Sequence, residues 1–191
     1  MNSGTRRTRT ASVDRRAQRT RFALAEALMT LAPKVGYARL DVRKLVAKAG
    51  VGRSTFYRHY ADKDDFFITS FAGMVAMFDA KARERGDYDT MLPAREVFAH
   101  VAGARAFALS LAASGDFART QAAREDKLRV IAEINLRRLH PQWPSARRQE
   151  AAVVLAAAFA GLTRWWVEGG MRQSAAHVAG LYETAARRVL G

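Results

Sequence analysis

The side chains with the most chemistry to offer stand close together. They are Arg53, Ser54, Thr55, Tyr57, Arg58 and His59, preceded by Arg43 and Lys44 and followed by Lys63. Cations and hydroxyls of this kind pair with phosphate oxygens and base edges. Arg53 leads as the candidate for a bidentate contact to guanine, and Arg58 for a base or a phosphate. Ser54 and Thr55 can donate to either. Arg43 and Lys44 fall in the first turns of the preceding helical pattern, where they would meet the nucleic-acid backbone. Other chemistries find little support. The chain has no cysteine, which removes disulfides, thiolate metal sites and cysteine nucleophiles. His59 has no second ligand at metal-site spacing, and His100, His140 and His177 are scattered on separate predicted helices. The run Gly50-Val51-Gly52-Arg53-Ser54-Thr55 looks superficially like a phosphate-binding loop, but it lacks the lysine and the preceding strand. No His-Glu-x-x-His, nucleophile elbow or paired carboxylate stands out. The expectation is no enzyme, no catalytic residue, no metal and no cofactor.

Two short helical patterns must position these groups. Val42, Leu45, Val46 and Ala49 recur at the spacing of one apolar helix face. Asp41 precedes that face, where its carboxylate can cap free backbone amides. Gly50 then suits the left-handed conformation that ends a helix. A second helix is predicted from Arg53 to about Tyr60, with Phe56, Tyr60 and Val51 as its core anchors. Two short helices joined by a glycine turn form a helix-turn-helix, whose second helix enters the DNA major groove.

The distribution of charge agrees. Of a net charge of +14 over 191 residues, residues 1–63 carry 15 Lys and Arg against 4 Asp and Glu, and residues 64–191 carry 17 against 14. The excess therefore surrounds the helix-turn-helix, as a phosphate-facing surface requires. A basic face could also dock on anionic lipid, but the groove-sized helix pair favours nucleic acid. With 49% hydrophobic and 26% charged residues the composition is that of a globular protein. No apolar run reaches the ~20 residues of a membrane helix, Ala151–Leu162 being short and alanine-rich. The N-terminus lacks a secretory core, so no membrane partner and a cytoplasmic location are expected.

Periodicity predicts an all-α chain of about nine helices. Residues 1–14 read as a disordered basic arm that could touch DNA, 15–62 as the helix-turn-helix domain and 63–191 as a second helical domain. The first helix, about Asp14 to Lys34, is predicted to bury Phe22, Ala25, Met29 and Ala32. A helix from Lys63 to about Arg85 follows the recognition helix, and Gly86–Thr90 reads as a turn. Helices are next expected from Ala94 to about Ala113, divisible near Gly103, and from Phe117 to Leu139. Ser145 is predicted to cap a long helix ending at Glu168, and Ser174 a last one from Ala175 to Leu190.

Residues 49–67, AGVGRSTFYRHYADKDDFF, resemble the DNA-binding signature of TetR/AcrR-family transcriptional regulators. Gly161-Leu162-Thr163-Arg164-Trp165-Trp166 looks similar to a common version of that family's dimerisation region. The resemblance implies phosphate contacts from Tyr57, His59 and Lys63. It further implies a homodimer on a palindromic double-stranded operator, released by a small apolar effector, with repression the commoner outcome. The effector would bind among Phe71, Met74, Phe78, Phe98, Phe107, Trp143, Phe159 and Trp166, although such side chains more often simply fill a core. Gly52 departs from the serine that many family members carry at the recognition-helix N-cap, a cost of a few tenths of a kcal/mol. A small-residue face, Ala156, Ala157, Ala160 and Gly161, is the expected dimer contact. A DNA-coating protein indifferent to sequence is the alternative, and it would bind random and selected duplexes equally.

Overall fold

The computed structural model describes residues 4–86 and 91–191, with the backbone alone for residues 4–15. Among the described residues every regular element is a helix, and there are ten. The chain divides into two compact units, Met1–Ser70 and Phe71–Gly191.

The first unit holds α1 (Gly4–Val35), α2 (Val42–Ala49), α3 (Arg53–Tyr57) and the opening turns of α4 (Lys63–Glu84). α1 begins inside the segment expected to be a disordered arm, since residues 5–32 contain neither glycine nor proline to stop a helix. Its buried face also differs from expectation. Leu24, Ala27, Leu28 and Ala32 are buried, while Phe22 and Met29 are exposed. Leu24, Leu28 and Leu31 make the more complete i, i+4, i+7 stripe, and it packs on α2. The turn expected at Gly86–Thr90 lies, from residue 87 on, outside the described residues.

The second unit comprises the rest of α4, α5 (Ala94–Gly103), α6 (Arg105–Ala113), α7 (Asp116–Arg119), α8 (Gln121–Leu139), α9 (Ser145–Glu168) and α10 (Ala175–Leu190). The predicted 94–113 helix bends by 82° between α5 and α6. The predicted 117–139 helix breaks at Thr120, whose hydroxyl donates back to the Asp116 carbonyl at 2.8 Å. Such back-bonding competes with helix continuation. Ser174 caps α10 by accepting from the His177 amide at 3.2 Å. Ser145, in contrast, is the first helical residue of α9, and the cap position belongs to Pro144 with no side-chain bond.

α9 runs down the middle of this unit, packing on α6, α8 and α10. By length and composition it could cross a membrane, which the alanine-rich sequence did not lead us to expect. Half of its most apolar window is buried inside the unit. Phe98, Phe159 and Trp166 form the aromatic centre, with ring centroids 5.1 Å apart for Phe98–Phe159 and 5.7 Å for Phe98–Trp166. A buried polar joint ties α8 to α4. Asn135 donates from Nδ2 to Asp79 Oδ1 at 2.8 Å and to the Met91 carbonyl at 3.0 Å.

Arg95 on α5 and Glu183 on α10 pair in a two-pronged fork of 2.6 and 2.9 Å. These bonds hold the Glu183 carboxyl below its usual pKa, against the opposing effect of burial. A lowered folded-state pKa contributes stability at neutral pH that is lost as pH falls through the carboxylate range. Glu183→Gln should therefore cost about 1 kcal/mol in denaturant unfolding at pH 7. The difference from wild type should shrink toward zero by pH 3. A difference that persists there would mean that the ion pair is not its source.

Candidate nucleic-acid interface

The helix-turn-helix follows from short-range physics. Asp41 Oδ1 accepts the Lys44 amide at 2.7 Å, capping α2. Gly50 ends that helix at φ 64°, and the Val51 amide reaches back to the Val46 carbonyl at 3.0 Å. α3 begins after Gly52, which is extended and offers no side-chain cap. It ends at Tyr57 rather than near Tyr60. The Arg58, His59 and Tyr60 amides still bond to Ser54 or Phe56 carbonyls, so the chain turns once more before leaving.

Phe56 is the anchor. It is fully buried, with Tyr60 at 5.4 Å and Phe66 of α4 at 6.1 Å, and Tyr60 packs edge-on to Phe66 at 4.9 Å. Tyr60 and Val51, the other expected anchors, are only half-buried. Burial pushes the Tyr60 phenol up, while neighbouring Arg21 of α1 pulls it the other way. A basic residue of α1 thus stands beside the recognition segment.

With Phe56 inward, Arg53, Ser54, Tyr57, Arg58 and His59 are all exposed, and Thr55 is half-buried. Arg43 and Lys44 are exposed on α2, with Arg43 leaning toward Asp41 at 3.9 Å. Lys63 stands apart. Its side chain is only 17% exposed, its ammonium meets Asp64 Oδ1 at 3.2 Å, and it lies 4.3 Å from the centre of the Tyr37 ring.

Sequence reasoning passed over the residues around Lys63. Asp62 Oδ1 accepts the Asp64 and Asp65 amides, both at 2.8 Å, and Asp65 Oδ2 accepts the Ala61 amide at 2.9 Å. The Asp-x-x-Asp spacing is a readable sign of this reciprocal cap. Tyr37, fully buried, donates its hydroxyl to Asp64 Oδ1 at 2.7 Å. No local pattern announces that bond.

The eight aromatic and methionine side chains considered for an effector are not gathered in one place. Phe98, Phe159 and Trp166 are buried in the core. Phe71, Met74, Phe78 and Phe107 are half-buried. Trp143 stacks on His140 at 4.4 Å, with the Arg147 guanidinium 3.8 Å from its ring, at the corner between α8 and α9. Arg124 of α8, which sequence reasoning missed, is 2% exposed and lies 4.0 Å from the Phe117 ring and 5.6 Å from that of Phe71. It donates to the Phe117 carbonyl at 2.8 Å. Burial pulls its pKa down to about 10, so it stays charged at neutral pH.

Among the described residues the chain is all-helical, and α2 and α3 with their glycine turn have the geometry of a helix-turn-helix. Residues 24–69 match the profile of the bacterial regulatory proteins of the tetR family, so this stretch is similar to the DNA-binding domain of that family. A 58-residue stretch is 41% identical to YxbF of Bacillus subtilis (strain 168), an uncharacterized HTH-type transcriptional regulator. It covers 30% of this chain and 15% of that relative's length. The fold is shared with a TetR transcriptional regulator from Rhodococcus sp. RHA1, at TM-score 0.61 and 18% identity, over 91% of this chain and 97% of the other. A TetR-family protein of Syntrophomonas wolfei str. Goettingen matches at TM-score 0.60 and 17% identity, over 91% and 96%. The Gly50–Thr55 run joins two helices, α2 and α3, with no strand before it, so it lacks the setting of a phosphate-binding loop.

The two glycines of the turn should respond in opposite directions. Gly50→Ala forces a Cβ into the left-handed region and should destabilise the protein by about 1 kcal/mol. At Gly52 a Cβ would stand 3.7 Å from Thr55 Oγ1, ordinary contact, so Gly52→Ser has room to cap α3. It should add a few tenths of a kcal/mol. Urea unfolding of the two variants checks both signs.

Proposed function

We propose that this protein is a homodimeric repressor that reads a palindromic operator and is released from it by a small, mostly apolar ligand. The single observation behind DNA reading is the outward row Arg53, Ser54, Tyr57, Arg58 and His59 on a helix pinned by Phe56. Arg53 and Arg58 are the base-reading candidates, with Ser54 and Thr55 able to donate to a base or the backbone. Arg43, Lys44, Tyr57 and His59 are assigned to phosphates, which position the helix without reading sequence. Lys63 belongs to the same set on the condition that it leaves Asp64. The functional boundary is placed after Asp62, with α4 from Lys63 leading into the effector and dimer domain, although its opening turns, through Ser70, pack with the first unit. The site of action is the cytoplasm, where the chromosome lies.

Dimerisation is supported by the outer face of α9. Val153, Val154, Ala157, Gly161 and Trp165 are exposed there, with Leu181 exposed on α10. Of the small residues expected at this contact, Ala156 and Ala160 turn into the protomer's own core. Ala157 and Gly161 remain for a partner. A stable contact of this kind buries more than about 1,000 Å². Two recognition helices about 34–36 Å apart, or a multiple, would then meet successive major grooves. The effector is assigned to the half-buried Phe71, Met74, Phe78 and Phe107, and among the aromatic set these can move at least cost to packing. It acts allosterically only by binding one separation of the heads better than the other.

Arg53→Ala should weaken binding to an operator selected from genomic fragments by ~1–3 kcal/mol and leave random duplex binding nearly intact. Equal losses on both would remove Arg53 from base reading and favour a DNA-coating protein. Trp165→Glu combined with Val154→Glu should shift the protein to monomer in analytical ultracentrifugation. Unchanged dimers would place the interface elsewhere.

A further inference from the structure

Lys63 opens α4 in the reading unit, yet its charge is spent inside the protein. Asp64 Oδ1 receives both the Lys63 ammonium at 3.2 Å and the Tyr37 hydroxyl at 2.7 Å. The Tyr37 hydroxyl also lies 3.3 Å from the Lys63 carbonyl, and its ring supports the ammonium from below at 4.3 Å. Tyr37 is fully buried, so it cannot swing away and Asp64 is fixed with it. Both partners are shielded, with side chains 17% and 22% exposed. An ion pair this shielded is screened less by salt than one in open water.

We infer that Asp64, held by Tyr37, is a positioning residue that decides whether Lys63 adds to phosphate binding. This rests on the DNA-binding reading proposed above. While the carboxylate is charged, the Lys63–Asp64 pair is neutral as seen by a phosphate, and docking releases no counterion on its account. Its charge reaches DNA only when Asp64 gives it up. The other candidate cations are exposed, Arg43 meeting Asp41 only at 3.9 Å, so among them Lys63 is the one held in a shielded pair at hydrogen-bond distance. The arrangement lowers non-specific affinity without touching any base-reading group, which favours discrimination.

The test has two arms. In the absence of DNA, lysine acylation by an N-hydroxysuccinimide ester, read by peptide mass spectrometry, should modify Lys63 several-fold more slowly than exposed Lys44 and Lys48. Asp64→Asn, which keeps an acceptor for Tyr37, should remove most of that protection. In the DNA arm, log affinity for a random duplex is followed against log salt. Asp64→Asn should steepen the slope by ~0.9, or about threefold more loss of affinity between 50 and 200 mM salt. Lys63→Gln alone should leave the slope nearly unchanged, and in the Asp64→Asn background it should abolish the gain. Asp64→Glu, which restores the charge, should return the wild-type slope. Thermal unfolding of each variant verifies that the fold is retained. A gain that survives Lys63→Gln would make Asp64 a simple repulsive charge and overturn the inference. So would a full unit of slope lost on Lys63→Gln alone, or Lys63 acylated as fast as Lys44. If no variant binds duplex DNA at any salt, the DNA-binding reading fails. Acylation data that still show protection of Lys63 would then leave only the internal pair standing.

Discussion

The placement of α3 depends on the burial of Phe56. α3 has five residues, far below the length at which a helix holds itself in water. Its N-cap is a glycine, which has no side chain to cap the first amides. What remains is one fully buried ring, worth about 1.5–3 kcal/mol of transfer free energy, with Tyr60 and Phe66 packed around it. Because Phe56 points inward, most of its neighbours on α3 point outward, with Thr55 half-buried beside it. The exposed row of Arg53, Ser54, Tyr57 and Arg58 is the same geometric fact seen from the other side.

The legible part of the head is the part decided locally. Asp41 caps a neighbour three residues on, Gly50 ends the helix it follows, and Phe56 faces inward by helical spacing. Each depends on a few consecutive residues, and each appears where the sequence predicts it. The misses need longer reach. α1 offers two competing apolar stripes, one through Phe22 and Met29 and one through Leu24 and Leu28, and only the packing on α2 chooses between them. The Tyr37–Asp64 bond joins residues 27 positions apart. No window of the sequence contains both ends of it.

The second unit repeats the lesson at larger scale. Glycine and proline breaks are readable, but Thr120 ends α7 with a hydroxyl that returns to its own turn. The aromatic side chains are chemically alike in the sequence and unlike in the fold. Phe98 and Phe159 stack in the core, whereas Trp143 is clasped between His140 and Arg147 on a corner. Arg124 and Asn135 look like ordinary polar residues of an exposed helix, yet both are buried and hydrogen-bonded to other segments. Composition can count such groups, but it cannot say which of them face inward.

The same reasoning bears on the charge of the reading unit. Its surplus of Lys and Arg pointed correctly to the basic end of the chain, but a surplus is a sum over all side chains. Counterion release depends on cations that meet phosphate without a carboxylate already beside them. Lys63 is paired with Asp64, and Arg43 leans on Asp41. Arg53, Arg58 and Lys44 stand outward on α3 and α2. The number of phosphates this head would neutralise is therefore smaller than its count of Lys and Arg implies. On the proposed reading, recognition of sequence by Arg53 and Arg58 would then have a lower electrostatic background to exceed.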